Sequence, residues 1–349
     1  MKYEPLSREE VKSVIEGRGA AGRVPVFVHF WVHPEVFEGE KLDRINALLN
    51  EYPQDAQTFY LNIPQVYEAP DDDPSYRWSY KDRTADGNAA LDSSGFIQDW
   101  DDELDLLLQD FPSADYPGLI PEKREPDGRY RLGCWWYFFF ERFWSIRNME
   151  EALIDFYENP EAIHALFRKL CDFYKRMLER AKYELDLDGI FTSDDLGTQT
   201  GTFFSTAIFD EFFAPYYKEV IDKAHELGMH FWLHTCGNIE AFLSRYIELG
   251  VDVIHPIQKH TMEEKKIAET YGDQIAIWSG FDVQQTIPYG TPEDVRREVR
   301  FLTDTYARPD GRFLFTLGNG TTKDLPEASL EALLDEIFAY GTEKMKQFQ

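Results

Sequence analysis

The C-terminal half of the sequence alternates short apolar segments with amphipathic ones, and this alternation limits the fold more than any other feature. The apolar segments are rich in β-branched and aromatic residues, which favours buried strands. These predicted strands are residues 189–196, 230–236, 251–258, 274–281 and 312–318. The amphipathic segments have helical periodicity and are residues 207–227, 239–249, 261–271, 292–306 and 327–346. Repeated strand–helix units predict parallel strands joined by crossover helices.

The N-terminal half carries the same kinds of element less regularly. Ser7 and Glu10 form the S-x-x-E capping pattern of a helix over residues 7–17. Apolar patterns predict strands at 22–31 and 58–63, and helical patterns cover 40–51 and 149–186, with a new helix start near Asn159-Pro160. Residues 64–130 are rich in Gly, Pro, Asp and Ser, which indicates loops and short hairpins.

With 349 residues and this number of strand–helix units, the chain is predicted to form an α/β fold, a (β/α)8 TIM barrel with an N-terminal helical and loop extension. We expect one domain over residues 1–349, in which residues 64–130 form a loop-rich insertion or lid. A doubly wound open sheet is the alternative. It would require a G-x-G-x-x-G turn after a strand, and the sequence has none at such a position.

The composition excludes some classes of partner. A formal net charge of −28 argues against nucleic acid, which binds basic surfaces. No apolar run reaches the ~20 residues that cross a bilayer, and the first residues lack the apolar core of a signal peptide. The three cysteines are too widely spaced for a disulfide framework. We therefore expect a cytoplasmic protein with no nucleic-acid partner and no membrane association.

Polar residues follow the predicted strands, at the end where TIM-barrel enzymes place their chemistry. They are Asp194, Asp195, Gln199, His234, Cys236, His255, Gln258, Asp282 and Asn319. Some of them are expected to cap helices instead.

His234 and Cys236 lie two apart in HFWLHTCGN, so an extended strand would point the imidazole and the thiol to the same side. Two such ligands form half of a metal site.

The other half of that site has several candidates. Zinc in catalytic sites takes three protein ligands from His, Cys and carboxylates, and its fourth position stays open. Asp194 or Asp195 can complete the set, but only one of them can point inward if both lie in the strand. Asp195 is slightly preferred. Glu141 is a further candidate donor.

Aromatic residues make up 15% of the chain, and they are densest in CWWYFFFERFW, residues Cys134 to Trp144. This run has two interpretations. It is either packed core or one wall of a pocket for a planar ligand.

Four segments together resemble the uroporphyrinogen decarboxylase superfamily. They are ERFWSIRNMEEALIDFYENPE (141–161), DDLGTQ (194–199), HTCGN (234–238) and LGVDVIHPIQ (249–258). The resemblance is weakest across residues 64–130. It implies a TIM barrel with one of two chemistries. These are decarboxylation of uroporphyrinogen without a cofactor, and zinc-dependent methyl transfer involving a separate corrinoid protein.

The chain resembles the methyltransferase branch more closely than the decarboxylases. The H-x-C pair of that branch supplies two zinc ligands, and His234 and Cys236 stand at the matching positions. Its third ligand is usually a cysteine after the last strand, where this sequence reads LFTLGNGTTKDLP (314–326), with Asn319 and no cysteine. The resemblance therefore implies a zinc site whose third ligand differs from the usual one.

The function implied is transfer of a methyl group between a small methylated substrate, such as an aromatic methyl ether, and a corrinoid protein, with zinc as Lewis acid. The candidate acid or positioning groups are Asp194, Asp195 and Glu141, and the candidate substrate-binding residues are Gln199, His255, Gln258 and Asn319. DKAHELG (222–228) differs in spacing from the corrinoid-binding D-x-H-x-x-G motif, so the corrinoid is expected on the partner. A homodimer is compatible with the resemblance, because related barrels often pair.

Two alternatives remain open. A uroporphyrinogen decarboxylase-like carboxy-lyase needs arginines at its pocket to pair with substrate carboxylates, and the segment VPVFVHFWVHPEVFEG (24–39) has none. The arginines that could serve from elsewhere are Arg77, Arg83, Arg142 and Arg147. The second alternative is a ligand-binding barrel without catalysis, since the usual third cysteine is missing.

Overall fold

A computed structural model describes residues 3–66, 68–78 and 95–348. Within these ranges, seven strands form one parallel sheet, in which each strand lies beside the one before it in the chain. The strands are β1 (Ala56–Tyr60), β2 (Tyr130–Trp135), β3 (Gly189–Ser193), β4 (His230–His234), β5 (Val253–His255), β6 (Ala276–Trp278) and β7 (Phe313–Leu314). With helices between successive strands, the chain has a TIM-barrel-like α/β fold.

The helices of the described residues include most of the predicted helical segments, and also two longer helices, at Trp100–Gln109 and Phe140–Arg147, that were not predicted. In chain order, the helices are α1 (Arg8–Ile15), α2 (Gly39–Glu51), α3 (Trp100–Gln109), α4 (Phe140–Arg147), α5 (Met149–Glu158), α6 (Pro160–Leu185), α7 (Thr206–Ile208), α8 (Ala214–Glu226), α9 (Leu243–Leu249), α10 (Glu264–Tyr271), α11 (Thr286–Tyr289), α12 (Pro292–Tyr306) and α13 (Glu327–Lys346). A π turn at Phe209–Phe213 separates α7 from α8. Within the described ranges, no helix combines the length and apolar character needed to cross a membrane.

A short N-terminal segment links β1 and β7, the two edges of the sheet. Val26 forms a parallel bridge with Phe315, and the Phe27 N–H donates to the Phe315 carbonyl at 3.0 Å. On the other side, the Asp55 N–H donates to the Val26 carbonyl at 3.0 Å. The segment therefore lies where an eighth strand would lie.

The predicted strand at 22–31 is wrong in its extent, because only Val26 has strand pairing. Phe27 leaves the extended region of the backbone, and Val28–Trp31 form a 3-10 turn. This turn folds the apolar residues over the end of the sheet, where the Trp31 ring stacks on His255 with centroids 4.7 Å apart. A nearly continuous apolar run does not distinguish such a turn from a buried strand.

The region 64–130 is more regular than its composition predicted. It contains α3, which begins at the N-cap Asp99 and buries Trp100 and Leu107 against the rest of the protein. Strand β2 begins at Tyr130, where this region ends, and includes the start of the aromatic run. Its pattern YRLGCW is fully buried on both faces and lacks the alternation by which half-buried strands are recognised. The predicted lid lies partly outside the described residues, at residues 67 and 79–94.

A buried carboxylate, Asp55, ties the N-terminal segment to the sheet. It accepts two hydrogen bonds from the Arg23 guanidinium, both at 2.6 Å. It also accepts from the backbone N–H groups of Leu6 and Val26, both at 2.7 Å. Asp55 thus satisfies one buried cation and two backbone donors at the place where the two edges of the sheet are linked.

We expect Asp55→Ala to lower the free energy of unfolding by about 3–5 kcal/mol, because it leaves the buried Arg23 guanidinium without a counter-charge. Chemical denaturation followed by tryptophan fluorescence measures the change. Glu331→Gln is the control, since Glu331 forms an exposed ion pair with Arg44 at 2.7 Å. The control should change the free energy by less than about 0.5 kcal/mol. Equal effects of the two substitutions would contradict the role assigned to Asp55.

Candidate metal centre

The ends of β3 and β4 and the loops after them bring three metal-ligand types together. His234 is the last residue of β4, Cys236 follows two residues later, and Asp195 lies two residues after the end of β3. The ligand atoms of the three side chains all lie within 4.8 Å of one another. His234 Nε2 is 3.2 Å from Cys236 Sγ and 3.5 Å from Asp195 Oδ1. The three side chains therefore border one common space.

Two glycines allow the loops that carry Asp195 and Cys236 to touch backbone to backbone. The Gly197 N–H donates to the Cys236 carbonyl at 3.2 Å, and the Cys236 N–H donates to Asp195 Oδ1 at 2.7 Å. A Cβ on Gly197 would lie 2.5 Å from the Cys236 carbonyl oxygen, and one on Gly237 would lie 2.3 Å from the Gly197 carbonyl carbon. Gly237 also has φ +87°. This approach explains why glycine follows H-T-C.

Two of the predicted substrate-binding residues contact the loop that carries Cys236. Gln258 Oε1 accepts from the Gly237 N–H at 2.6 Å, so this amide supports the loop. Asn319 is exposed, and its Nδ2 lies 3.8 Å from Cys236 Sγ. A cavity of about 50 Å³ lies beside Cys236 and is lined by both Gln258 and Asn319. A substrate group can reach the sulfur from this side.

Of the other polar residues at the strand ends, Asp282 also lines this cavity, whereas Gln199 and His255 do not. Gln199 is exposed on the loop after β3, and no hydrogen bond joins it to another described residue. His255 is fully buried, and its Nδ1 lies 2.7 Å from His234 Nδ1. It therefore contacts the side of the His234 ring that faces away from Cys236. Asp282 Oδ1 accepts from the N–H groups of Gln284 and Gln285, which is a capping role.

Asp194 faces away from the metal ligands and anchors α4. Its carboxylate accepts from the backbone N–H groups of Phe139, Phe140 and Glu141 at 2.8–3.2 Å, and from the Tyr217 hydroxyl at 2.6 Å. Burial raises the pKa of Asp194 to about 6, although these hydrogen bonds favour its charged form. The carboxylate thus satisfies the free donors at the start of α4 and fixes where Glu141 lies.

Glu141 projects from the first turn of α4 toward the end of β3. The Ser193 hydroxyl donates to Glu141 Oε2 at 2.5 Å, while Ser193 Oγ accepts from the Tyr137 N–H at 3.0 Å. Burial raises the pKa of Glu141 well above its usual range, and the nearby Asp195 and Asp194 raise it further. The environment of Glu141 therefore favours its neutral form over its charged form.

Burial also sets the protonation of the two predicted metal ligands. It lowers the pKa of His234, which keeps the imidazole neutral and able to bind a cation. It raises the pKa of the Cys236 thiol, and the carboxylates of Asp195 and Glu141 raise it further. A cation bound beside the sulfur would reverse that effect, because a metal binds the thiolate and displaces the proton.

The donor set fits zinc. It has one nitrogen, one sulfur and one carboxylate oxygen on neighbouring strand ends, which is the composition of a three-ligand catalytic site. The thiolate and the carboxylate together balance the charge of a divalent cation. Asp195, preferred over Asp194 from the sequence, is the acidic residue in this group.

The other cysteines and two of the candidate arginines are engaged inside the fold. Cys134 lies in β2 and Cys171 in α6, both buried. The Arg142 guanidinium donates to the carbonyls of Pro64 at 3.0 Å and Trp136 at 3.4 Å. Arg147 pairs with the buried Asp155 at 2.8 Å. Arg83 lies outside the described residues. Neither Arg142 nor Arg147 is placed to bind substrate carboxylates at a pocket mouth.

Most of the aromatic run lies in the core, as the first of its two interpretations predicts. Phe138, Phe139 and Phe140 are fully buried in the core. Trp136 is only partly buried, and its ring lies edge-on to His234 with centroids 6.1 Å apart. The run is therefore core along most of its length and borders the metal centre at one residue.

Two residues of the site were not found from the sequence. Ser193 orients Glu141, and its position as the last residue of β3 was the available signal. Trp31 stacks on His255 and lies 5.3 Å from the His234 ring, but its apolar surroundings indicated only core.

We expect Asp194→Asn to lower the free energy of unfolding by about 2–3 kcal/mol, because an amide cannot accept all the hydrogen bonds now made to buried donors. Thermal and denaturant unfolding measure the loss. Asp210→Asn is the control, since Asp210 forms a half-exposed pair with Arg245. An Asp194→Asn protein as stable as the control would show that Asp194 is not a structural anchor.

Comparison with known proteins identifies a matching family model and two curated relatives. The family model for uroporphyrinogen decarboxylase (URO-D) matches residues 144–340, more than half of the chain. Methylcobamide:CoM methyltransferase MtbA of Methanosarcina mazei is 27% identical over 127 residues, covering 36% of this chain and 35% of that protein. Uroporphyrinogen decarboxylase of Methylococcus capsulatus is 24% identical over 210 residues, covering 56% and 54%. The chain spans about a third and about half of the lengths of these two curated relatives.

A solved structure extends the comparison to nearly the whole chain. A methyltransferase from Methanosarcina mazei aligns with 96% of this chain and 98% of its own, with a TM-score of 0.61 and 15% sequence identity. At this identity, the likeness establishes a shared fold. The family predicted from the four sequence segments is confirmed, and the chain belongs to the uroporphyrinogen decarboxylase family.

Proposed function

We propose that this protein transfers a methyl group between a small methylated substrate and a corrinoid protein, with zinc bound at the metal centre. The observation that carries the proposal is the convergence of His234, Cys236 and Asp195 at the C-terminal end of a parallel sheet. A site of this composition suits a catalytic zinc. The sequence match to Methylcobamide:CoM methyltransferase supports methyl transfer as the reaction type.

His234 Nε2, Cys236 Sγ and a carboxylate oxygen of Asp195 would hold the zinc. When bound, zinc supplies Lewis-acid stabilisation of the charge that develops on the leaving group. The oxygen ligand makes this set harder than one with two thiolates, which suits an oxygen leaving group such as that of an aromatic methyl ether. Asn319 donates to the sulfur from the exposed side.

We assign to Glu141 the role of supplying the proton that the leaving group needs. Ser193 donates to Glu141 Oε2, so the proton of the neutral acid is assigned to Oε1. In the proposed reaction the methyl carbon–oxygen bond breaks and its electron pair stays with the oxygen. Co(I) of the corrinoid supplies the pair for the new cobalt–carbon bond. The departing oxygen then receives the Glu141 proton, which balances the step.

We place the corrinoid on a partner protein. The segment most similar to a corrinoid-binding motif, DKAHELG, forms the last turn of α8 and the turn at Gly228 that follows the helix.

We further propose that residues 1–349 form one (β/α)8 domain and that residues 64–130 act as an insertion over the mouth of the barrel. The inward engagement of Arg142 and Arg147 disfavours decarboxylation of a porphyrinogen.

We expect purified protein to contain one zinc per chain by elemental mass spectrometry, and His234→Ala, Cys236→Ala and Asp195→Ala to lose it. Each substitution removes one of three ligands, and a two-ligand site binds zinc weakly. Cys171→Ala is the matched control, because it removes a buried thiol outside the site. Wild-type protein that holds no metal after incubation with zinc would refute the metal centre.

We expect zinc-loaded protein to form methylcobalamin from cob(I)alamin and an aromatic methyl ether such as 2-methoxyphenol, followed by absorbance. Glu141→Gln should slow this reaction by about 100-fold or more, the scale of general-acid catalysis, and should leave the zinc content unchanged. The amide keeps an acceptor for Ser193 but carries no acidic proton. Decarboxylation of uroporphyrinogen by the chain alone would instead support the carboxy-lyase alternative.

A further inference from the structure

The imidazole of His255 is held in one orientation behind the metal centre. The ring is fully buried and stacks on Trp31, with centroids 4.7 Å apart and planes 17° apart. On another side it contacts the Trp278 ring at 4.6 Å. Its two nitrogens have different partners, since Nδ1 lies 2.7 Å from His234 Nδ1 and Nε2 lies 2.8 Å from the Leu317 carbonyl oxygen. The ring cannot exchange these partners without leaving the stack.

These partners determine which nitrogens carry protons. A carbonyl oxygen only accepts hydrogen bonds, so His255 Nε2 must be the N–H that donates to Leu317. Neutral His255 then has a lone pair on Nδ1. The short contact between the two Nδ1 atoms requires one donor and one acceptor, so His234 Nδ1 must carry the hydrogen. His234 Nε2 is left with its lone pair.

The remaining possibility is a doubly protonated His255, which would reverse the direction of the hydrogen bond between the rings. The ring is fully buried between the Trp31 and Trp278 rings, so a positive charge on it would be removed from water. No carboxylate is among the hydrogen-bond partners of His255 in the described part of the chain. The neutral ring is therefore the form that this environment supports.

We propose that His255 is a positioning residue that locks His234 in its Nδ1–H form and so presents the Nε2 lone pair to the space shared with Cys236 and Asp195. The identity of the bound metal rests on the proposed function, whereas the hydrogen-bond relay from Leu317 through His255 to His234 does not. The nitrogen that a histidine offers to a metal is set by the hydrogen bond of its other nitrogen.

Without this relay the opposite form of His234 would compete. An Nε2–H group would point at Asp195 Oδ1, which lies 3.5 Å away. That arrangement would occupy one lone pair of the carboxylate and remove the nitrogen donor from the site. His255 thus excludes a hydrogen bond that would close the metal site to the ion.

The first test reads the tautomer of His234 directly in zinc-free protein. Nitrogen-15 NMR of histidine-labelled protein distinguishes Nδ1–H from Nε2–H rings, and His234→Gln identifies the His234 signals. We expect the Nδ1–H form in the wild type. An Nε2–H form of His234 in folded wild-type protein would overturn the proposal, and this measurement needs no destabilising variant at His255.

The second test compares two substitutions of His255. Asn keeps an acceptor oxygen near the position of Nδ1, whereas Leu has similar bulk and no acceptor. We expect His255→Leu to weaken zinc binding by about 10–100-fold in competition with a chelator, as losses of such supporting hydrogen bonds do. We expect His255→Asn to bind zinc within a few-fold of the wild type. Circular dichroism and melting temperature confirm that both are folded.

The outcomes separate the relay from the proposed function. Folded His255→Leu protein that binds zinc as tightly as the wild type would overturn the positioning role. Wild-type protein that binds no zinc would refute the proposed function, while the tautomer of His234 would still decide whether the relay exists. If His255→Leu does not fold, the wild-type tautomer together with the zinc affinity of His255→Asn decides the proposal.

Discussion

The parallel register of β3, β4 and β5 is the constraint on which the site depends. Ser193 pairs with His234, and His234 pairs with His255, so the last residues of three strands form one row across the sheet. The backbone ladder continues one step further, with the Asp194 N–H donating to the His234 carbonyl at 2.9 Å. A shift of one residue in any of these strands would turn its terminal side chain to the opposite face.

Each member of this row positions one functional group. Ser193 donates to Glu141, the His234 imidazole faces Cys236 and Asp195, and His255 contacts Nδ1 of His234. The loops that leave the row add Asp195 and Cys236, and they stay together because their backbones touch at glycines. Ligands supplied by rigid strand ends and tightly packed turns are held more precisely than ligands on open loops.

The electrostatics of the centre favour a cation. Burial and neighbouring carboxylates raise the pKa values of Cys236 and Glu141, so the ionised forms of both side chains are disfavoured. A bound divalent ion would relieve this cost for the thiolate. The site therefore combines donors that suit a cation with a carboxyl group whose neutral form is favoured by burial.

The sequence by itself determined the repeating strand–helix architecture, the family, and the pairing of His234 with Cys236, because these follow from local periodicity and motif spacing. It did not reveal β2 or the 3-10 turn that carries Trp31, since these are buried on most sides and lack an exposed polar face. It also missed α3, which lies in a region whose Gly, Pro, Asp and Ser content indicated loops. Only the tertiary structure decided that Asp195 joins the metal ligands while Asp194 caps α4, and that His255 supports His234. Local pattern specifies the direction of a side chain along its own strand, but distances between strand ends depend on register and loop packing.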